Sequence, residues 1–242
     1  LEFIFIFLPI VLLMFYICWR LESKRAAIFI LTLASLIFYG WWKWEYILLL
    51  FISILINFSI GAILFKYRML WLLILGISIN IFILGYFKYM DFMIESANIA
   101  LDTSIPLWGI ALPLAISFYT FQQIAFLVDT YRGLTKQTKL GNYTLFVCFF
   151  PQFIAGPIVH HSETIPQFEN KNFPKWCWNN ILTGLTIFLI GFNKKVVIAD
   201  SIAVIANQVF DNALEIPPTF FEAWFGAISY SFQIYFDFSG YS

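Results

Sequence analysis

Four stretches of this sequence set polar or ionisable side chains inside apolar runs, and each offers a different chemistry. In FFPQFIAGPIVHH, residues 149–161, His160 and His161 supply imidazoles that exchange a proton near neutral pH, and Gln152 supplies an amide. Neighbouring residues on a helix point about 100° apart, so the two histidines are poorly placed to chelate one ion. They read first as interfacial or structural side chains and second as functional ones. Pro151 and Pro157 each remove a backbone donor and kink or stop a helix, and Gly156 permits a tight turn between them. Non-helical backbone at membrane depth needs protein or a water-filled cavity to satisfy it. The stretch is therefore expected inside the protein, beside a polar space that Gln152 faces.

LPLAISFYTFQQIAFLVDTYRG, residues 112–133, carries Tyr119, Gln122 and Gln123 close to one helical face. That face either lines a polar tunnel or hydrogen-bonds to neighbouring helices. Asp129 and Arg132 are three apart and are expected to pair across one turn. GFNKKVVIADSIA, residues 191–203, ends an apolar run with Lys194 and Lys195. Their stems can carry the charges to the headgroups, or the ammonium groups can clamp an acidic carrier protein or a phosphate. In YSFQIYFDFSGYS, residues 230–242, an acid among aromatics must be paired, protonated or facing water. Asp237, Ser239 and Tyr241 form a candidate polar cluster there, beside an expected helix break at Gly240.

The elements that hold these stretches follow from composition. Of 242 residues, 61% are hydrophobic and 12% charged, against about 25% charged in soluble domains, and the mean hydropathy is +0.83. An all-α, polytopic integral membrane protein is expected, with the lipid bilayer as its surroundings. Fourteen basic residues balance fourteen acidic ones, which leaves no nucleic-acid footprint. Cys18, Cys148 and Cys177 lack metal-ligand spacing and read as core or lipid-facing residues. No phosphate-cradling glycine loop, zinc-type spacing or nucleophile elbow occurs.

A span needs about 20 mostly apolar residues. Spans are expected near 3–19, 26–40, 46–65, 70–88, 106–128, 179–193 and 219–236, with 143–159 and 196–210 re-entrant or interfacial. Basic residues favour the cytoplasmic side. Arg20, Lys24 and Arg25, then Lys66 and Arg68, then Arg132, Lys136 and Lys139 alternate with base-poor loops, which predicts an N-terminus outside. The positive charges after the first run argue for a retained helix rather than a signal peptide. No internal repeat or linker stands out, so residues 1–242 read as a single membrane domain. A first residue Leu and a motif at the very end suggest part of a longer protein.

The four stretches, in order and spacing, closely resemble the membrane-bound O-acyltransferase family, and YGWWKWEYILLL and LGYFKYMDF extend the resemblance over nearly the whole chain. The wording is nearest to its bacterial alginate-acetylating branch. The resemblance implies a ring of helices, with re-entrant or interfacial segments, around a narrow tunnel in the bacterial cytoplasmic membrane. It implies a thioester donor, acetyl-CoA or an acyl carrier, arriving as substrate on the cytoplasmic side, with no bound cofactor and no metal. The acceptor is an extracytoplasmic polysaccharide such as alginate or a related glycan, reached with extracytoplasmic acetyltransferase partner proteins. Tyr119, Gln122, Gln152, Gly156, Pro157, Asp237, Ser239 and Tyr241 become candidate tunnel residues, and Arg132, Lys194 and Lys195 candidate donor-side cations. The family's histidine base lies beyond the FDFSGYS motif, so none is expected within 1–242, and this stretch alone is expected to be inactive.

Two other readings remain at this point. D-alanyl transfer to teichoic acid uses the same fold and a different donor. A transporter or channel would also break helices around midplane polar residues but predicts a repeat, and a non-catalytic scaffold predicts neither tunnel nor donor.

Overall fold

A computed structural model describes residues 2–21, 23–135, 138–153, 161–169, 178–213 and 216–241. Every regular element among them is helical. The described residues fall into two compact units, the first drawn from Leu1–Ile154 and Ile158–Phe173, the second mainly from Pro174–Ser242.

The first unit opens with a π turn, Phe3–Phe7, running into α1 (Leu8–Arg20). Then follow α2 (Lys24–Trp42), α3 (Glu45–Tyr67) and α4 (Leu70–Leu101). The last three are long and apolar enough to cross a bilayer. Helix α3 ends at Arg68, which adopts a left-handed φ of 47° and donates its N–H to Leu64 O, satisfying an orphan carbonyl of the last turn.

Helix α4 does not stop near residue 88. It continues through Lys88, Asp91 and Glu95 for 32 residues in all, because no breaker intervenes before Asp102 turns left-handed at φ 52°. The span expected at 106–128 shortens correspondingly to α5 (Ile116–Arg132). Pro106 and Pro113 keep the preceding segment non-helical. The Asp91 carboxylate accepts the N–H groups of Trp108 at 2.9 Å and Gly109 at 3.1 Å, tying that segment back to α4.

Helix α5 is the centre of the first unit. Phe126 lies against Gly61 of α3 and Leu127 against Gly76 of α4, where an added Cβ would meet ring or methyl carbons at 2.6 and 2.7 Å. Small residues let these helices approach closely. Beyond α5 come α6 (Leu140–Cys148), the short α7 (Phe150–Phe153) and α8 (His161–Glu169). The segment 143–159, expected to be re-entrant or interfacial, is thus broken at Phe149, and its remainder, 154–159, lies outside the described residues.

In the second unit α9 (Trp178–Phe192), a π turn (Asn193–Ala199) and α10 (Asp200–Asn212) form one continuous helix. Residues 196–210, expected to be re-entrant or interfacial, are the continuation of the preceding span. Helix α11 (Phe220–Tyr241) starts at a reciprocal cap, in which Thr219 N–H and Oγ–H both donate to Glu222 Oε2. It runs through Gly240 without the expected break. Gly226 receives Val209 of α10, whose Cγ1 would be 2.6 Å from an added Cβ.

Candidate functional site

The second unit joins two stretches that the sequence presents separately. The π turn after α9 widens the helix locally, a feature frequent at functional sites, and both consecutive lysines reach α11 from it. Lys194 Nζ donates to Ser239 Oγ at 2.9 Å. Lys195 Nζ lies between Asp200 Oδ1 at 2.6 Å and Asp237 Oδ1 at 2.9 Å.

What allows this approach is a contact of backbone with backbone. A Cβ placed on Gly191 would lie 2.5 Å from Gly240 O, and one on Gly240 would lie 2.9 Å from Gly191 O. Gly240 therefore serves as a crossing point rather than a helix break. Tyr241, grouped from sequence with Asp237 and Ser239, is 53% exposed and stands outside the cluster.

In the first unit the amides of α3, α4 and α5 interlock. Asn57 Nδ2 donates to Ser53 O, to Asn80 Oδ1 and to Gln123 Oε1. Asn80 Nδ2 returns a bond to Asn57 Oδ1 at 2.6 Å and donates to Gly76 O at 2.8 Å, while Ser53 Oγ donates to Gln123 Oε1 at 2.9 Å. All four side chains are buried. Of the two readings of the α5 polar face, Gln123 takes that of interhelical bonding. Tyr119 and Gln122 are buried beside it.

Gln152, the half-buried amide of α7, is tied to the preceding helix. Its Nε2 donates back to Phe146 O at 3.1 Å, and the neighbouring Phe150 N–H donates to Ser35 Oγ of α2. Asp129 does not pair with Arg132, which is exposed. Instead Asp129 Oδ2 lies 3.6 Å from His161 Nδ1, and the imidazole is buried with its ring edge-on to Phe126 and Phe146. Thr130, Thr135 and Thr138 line, with Phe126, a cavity of about 90 Å³. Gly156, Pro157 and His160 lie outside the described residues.

Asn57, Asn80, Tyr39 and Asp200 were not singled out from sequence. Asn57 and Asn80 carried the same signal as Gln122, a strongly polar residue inside an apolar span. Asp200 stood in view within GFNKKVVIADSIA, without any local sign that it would meet Lys195.

Helices long enough to span, with large apolar side chains such as Phe29, Phe82 and Phe221 left exposed, define a multi-pass membrane protein. No family model matches the sequence. Individual proteins do. The chain is 42% identical to the peptidoglycan O-acetyltransferase of Helicobacter pylori, over 99% of this chain and 51% of that protein. It is 40% identical to the probable alginate O-acetylase AlgI of Pseudomonas putida, over 99% and 50%. Similarity to the teichoic acid D-alanyltransferase of Streptococcus thermophilus is 27% identity over 53% of this chain. The chain belongs to the membrane-bound O-acyltransferase family and spans about half the length of the O-acetyltransferase relatives it matches.

Proposed function

We propose that this chain forms part of an O-acetyltransferase that acylates hydroxyls of an extracytoplasmic polysaccharide, alginate, peptidoglycan or a related glycan. The observation that carries this reading is the alignment of nearly the whole chain, at 42% and 40% identity, with two O-acetyltransferases. Similarity to the D-alanyl branch extends over only about half of the chain.

In this reading the N-terminus lies outside and the donor, acetyl-CoA or an acyl carrier, meets the protein from the cytoplasm. The acceptor oxygen bonds to the thioester carbonyl carbon, the carbon–sulfur bond breaks, and the hydroxyl proton ends on the departing thiol. A general base would take that proton in transit; the family resemblance puts it on a histidine beyond Ser242. Extracytoplasmic acetyltransferase partners would pass the group on to the polymer.

The two lysines divide the donor-side role between them. Lys195 already faces two carboxylates, so its charge is matched within the fold. Lys194 has a neutral hydroxyl partner in Ser239, which leaves its charge for a donor phosphate. Exposed Arg132 is the corresponding cation of the first unit.

Disrupting the gene and assaying ester-linked groups released by mild alkali from the cell-surface polysaccharide tests the function. Loss of acetate is expected. Unchanged acetate with loss of D-alanine would replace this reading with D-alanyl transfer.

A further inference from the structure

The first unit holds a surplus of hydrogen-bond donors. The hydroxyls of Tyr39 on α2 and Tyr119 on α5, and Nε2 of Gln123 on α5, are buried without a protein partner among the described residues. Each residue is at most 1% exposed. Such groups in a native core call for an explanation, and an unseen bound molecule is one.

The amide orientation of Gln123 is dictated by its neighbours. Asn57 Nδ2 is fixed as a donor by Ser53 O, and it points at Gln123 together with Ser53 Oγ. Gln123 must therefore present its oxygen to them, which turns its NH₂ group away as a donor. Tyr119 stands one helical turn before Gln123 on the same face of α5.

Both phenol rings contact Phe153. Tyr39 meets Phe153 edge-on at 5.3 Å between centroids, and Tyr119 stacks on it at 6.2 Å. Phenylalanine at either position would pack against Phe153 in the same way without an orphan hydroxyl. A chain that uses phenylalanine thirty times nonetheless has tyrosine at both places.

We propose that Tyr39 and Tyr119, extended by Gln123, form a binding site for a hydrogen-bond-accepting oxygen. An acyl carbonyl has the two lone pairs that two phenols require, and it is the ligand class supplied by the acyltransferase reading, on which this choice of ligand rests. Donors preset around a carbonyl oxygen also favour the negative charge it gains when a nucleophile adds. Ordered water offers the same acceptor chemistry.

The test uses the purified chain in lipid nanodiscs with S-acetyl-N-acetylcysteamine labelled with ¹³C at its carbonyl. Wild type is expected to give a red-shifted carbonyl band by isotope-edited infrared spectroscopy, together with density for an oxygen within hydrogen-bonding reach of both phenols. Tyr39→Phe and Tyr119→Phe should each reduce the shift, and the double variant should abolish it with the melting temperature unchanged or higher. Oxygen density without a band shift would assign water as the occupant and overturn the acyl-carbonyl reading of the site. No density in wild type, with the double variant spectroscopically identical to it, would overturn the proposal. None of these readouts requires turnover, so the site can fail while acetyl transfer stands, and transfer can fail while the site stands.

Discussion

Asp129 on the last turn of α5 and His161 at the start of α8 face each other across 3.6 Å. This contact connects α5 to α8, with α6 and α7 between them in the sequence. Asp129→Asn is expected to lower the thermal stability of the detergent-solubilised protein by about 1–3 kcal/mol, the range for disturbing a buried polar contact. Arg132→Ala, exposed and away from that contact, should stay within about 0.5 kcal/mol of wild type. Equal effects of the two substitutions would restore the Asp129–Arg132 pair.

The interlocked amides of α3, α4 and α5 make a prediction about non-additivity. Replacing Asn57 alone with Leu leaves Gln123 and Asn80 short of partners, at a cost of about 1–3 kcal/mol. Replacing Asn57, Asn80 and Gln123 together with Leu removes both sides of each bond and should cost less than the sum of the single changes. Denaturation of the singles and the triple variant measures this, and simple additivity would count against a network.

At the α9–α11 crossing, Gly191→Ala would press a methyl group to within 2.5 Å of Gly240 O. A loss of about 1–3 kcal/mol is expected from such overpacking. Gly184, on the same helix, has nothing within 4 Å of an added Cβ, so Gly184→Ala should be neutral or stabilise by up to about 1 kcal/mol. Melting curves of the two variants should therefore move in different directions.

Lys195→Met leaves Asp200 and Asp237 facing one another without a cation. Reduced yield of folded protein is expected, with recovery on adding Asp237→Asn, which removes the like-charge conflict. Size-exclusion profiles in detergent report both. Lys194→Ala should leave that profile intact while weakening use of a phosphate-bearing donor in the full-length enzyme.

Residues 1–242 purified alone are expected to release no acetate from an acetyl thioester onto polysaccharide above the uncatalysed rate. Measured acetyl transfer by this stretch would place a base within it.

Helices were legible in the sequence because long runs of Leu, Ile and Phe leave few alternatives in a chain with so little charge. Their ends were less so. Capture of the Trp108 and Gly109 N–H groups by Asp91 has no local signature, yet it accompanies both the extension of α4 and the late start of α5. The polar residues of the candidate site were visible individually, as exceptions to an apolar pattern, but their partners were not. Lys194 meets Ser239 across 45 residues of sequence, and Gln123 meets Asn57 across 66. Partner choice is a property of helix crossings, and the glycines that create those crossings, Gly61, Gly76, Gly191 and Gly240, look alike in sequence to any other glycine.

The length of α4 also fixes how this protein registers with a bilayer. Its 32 residues extend roughly 48 Å at 1.5 Å per residue, well beyond a hydrocarbon core of about 30 Å. The first charge, Lys88, comes eighteen residues after Leu70 and sits 5.3 Å from the ring of Tyr89, a pairing suited to the headgroup boundary. That boundary acts as a depth mark. In a thinner bilayer α4 must tilt instead of sliding through, and the segment tethered to Asp91 would swing with it, so membrane thickness becomes a variable that this end of the helix can feel.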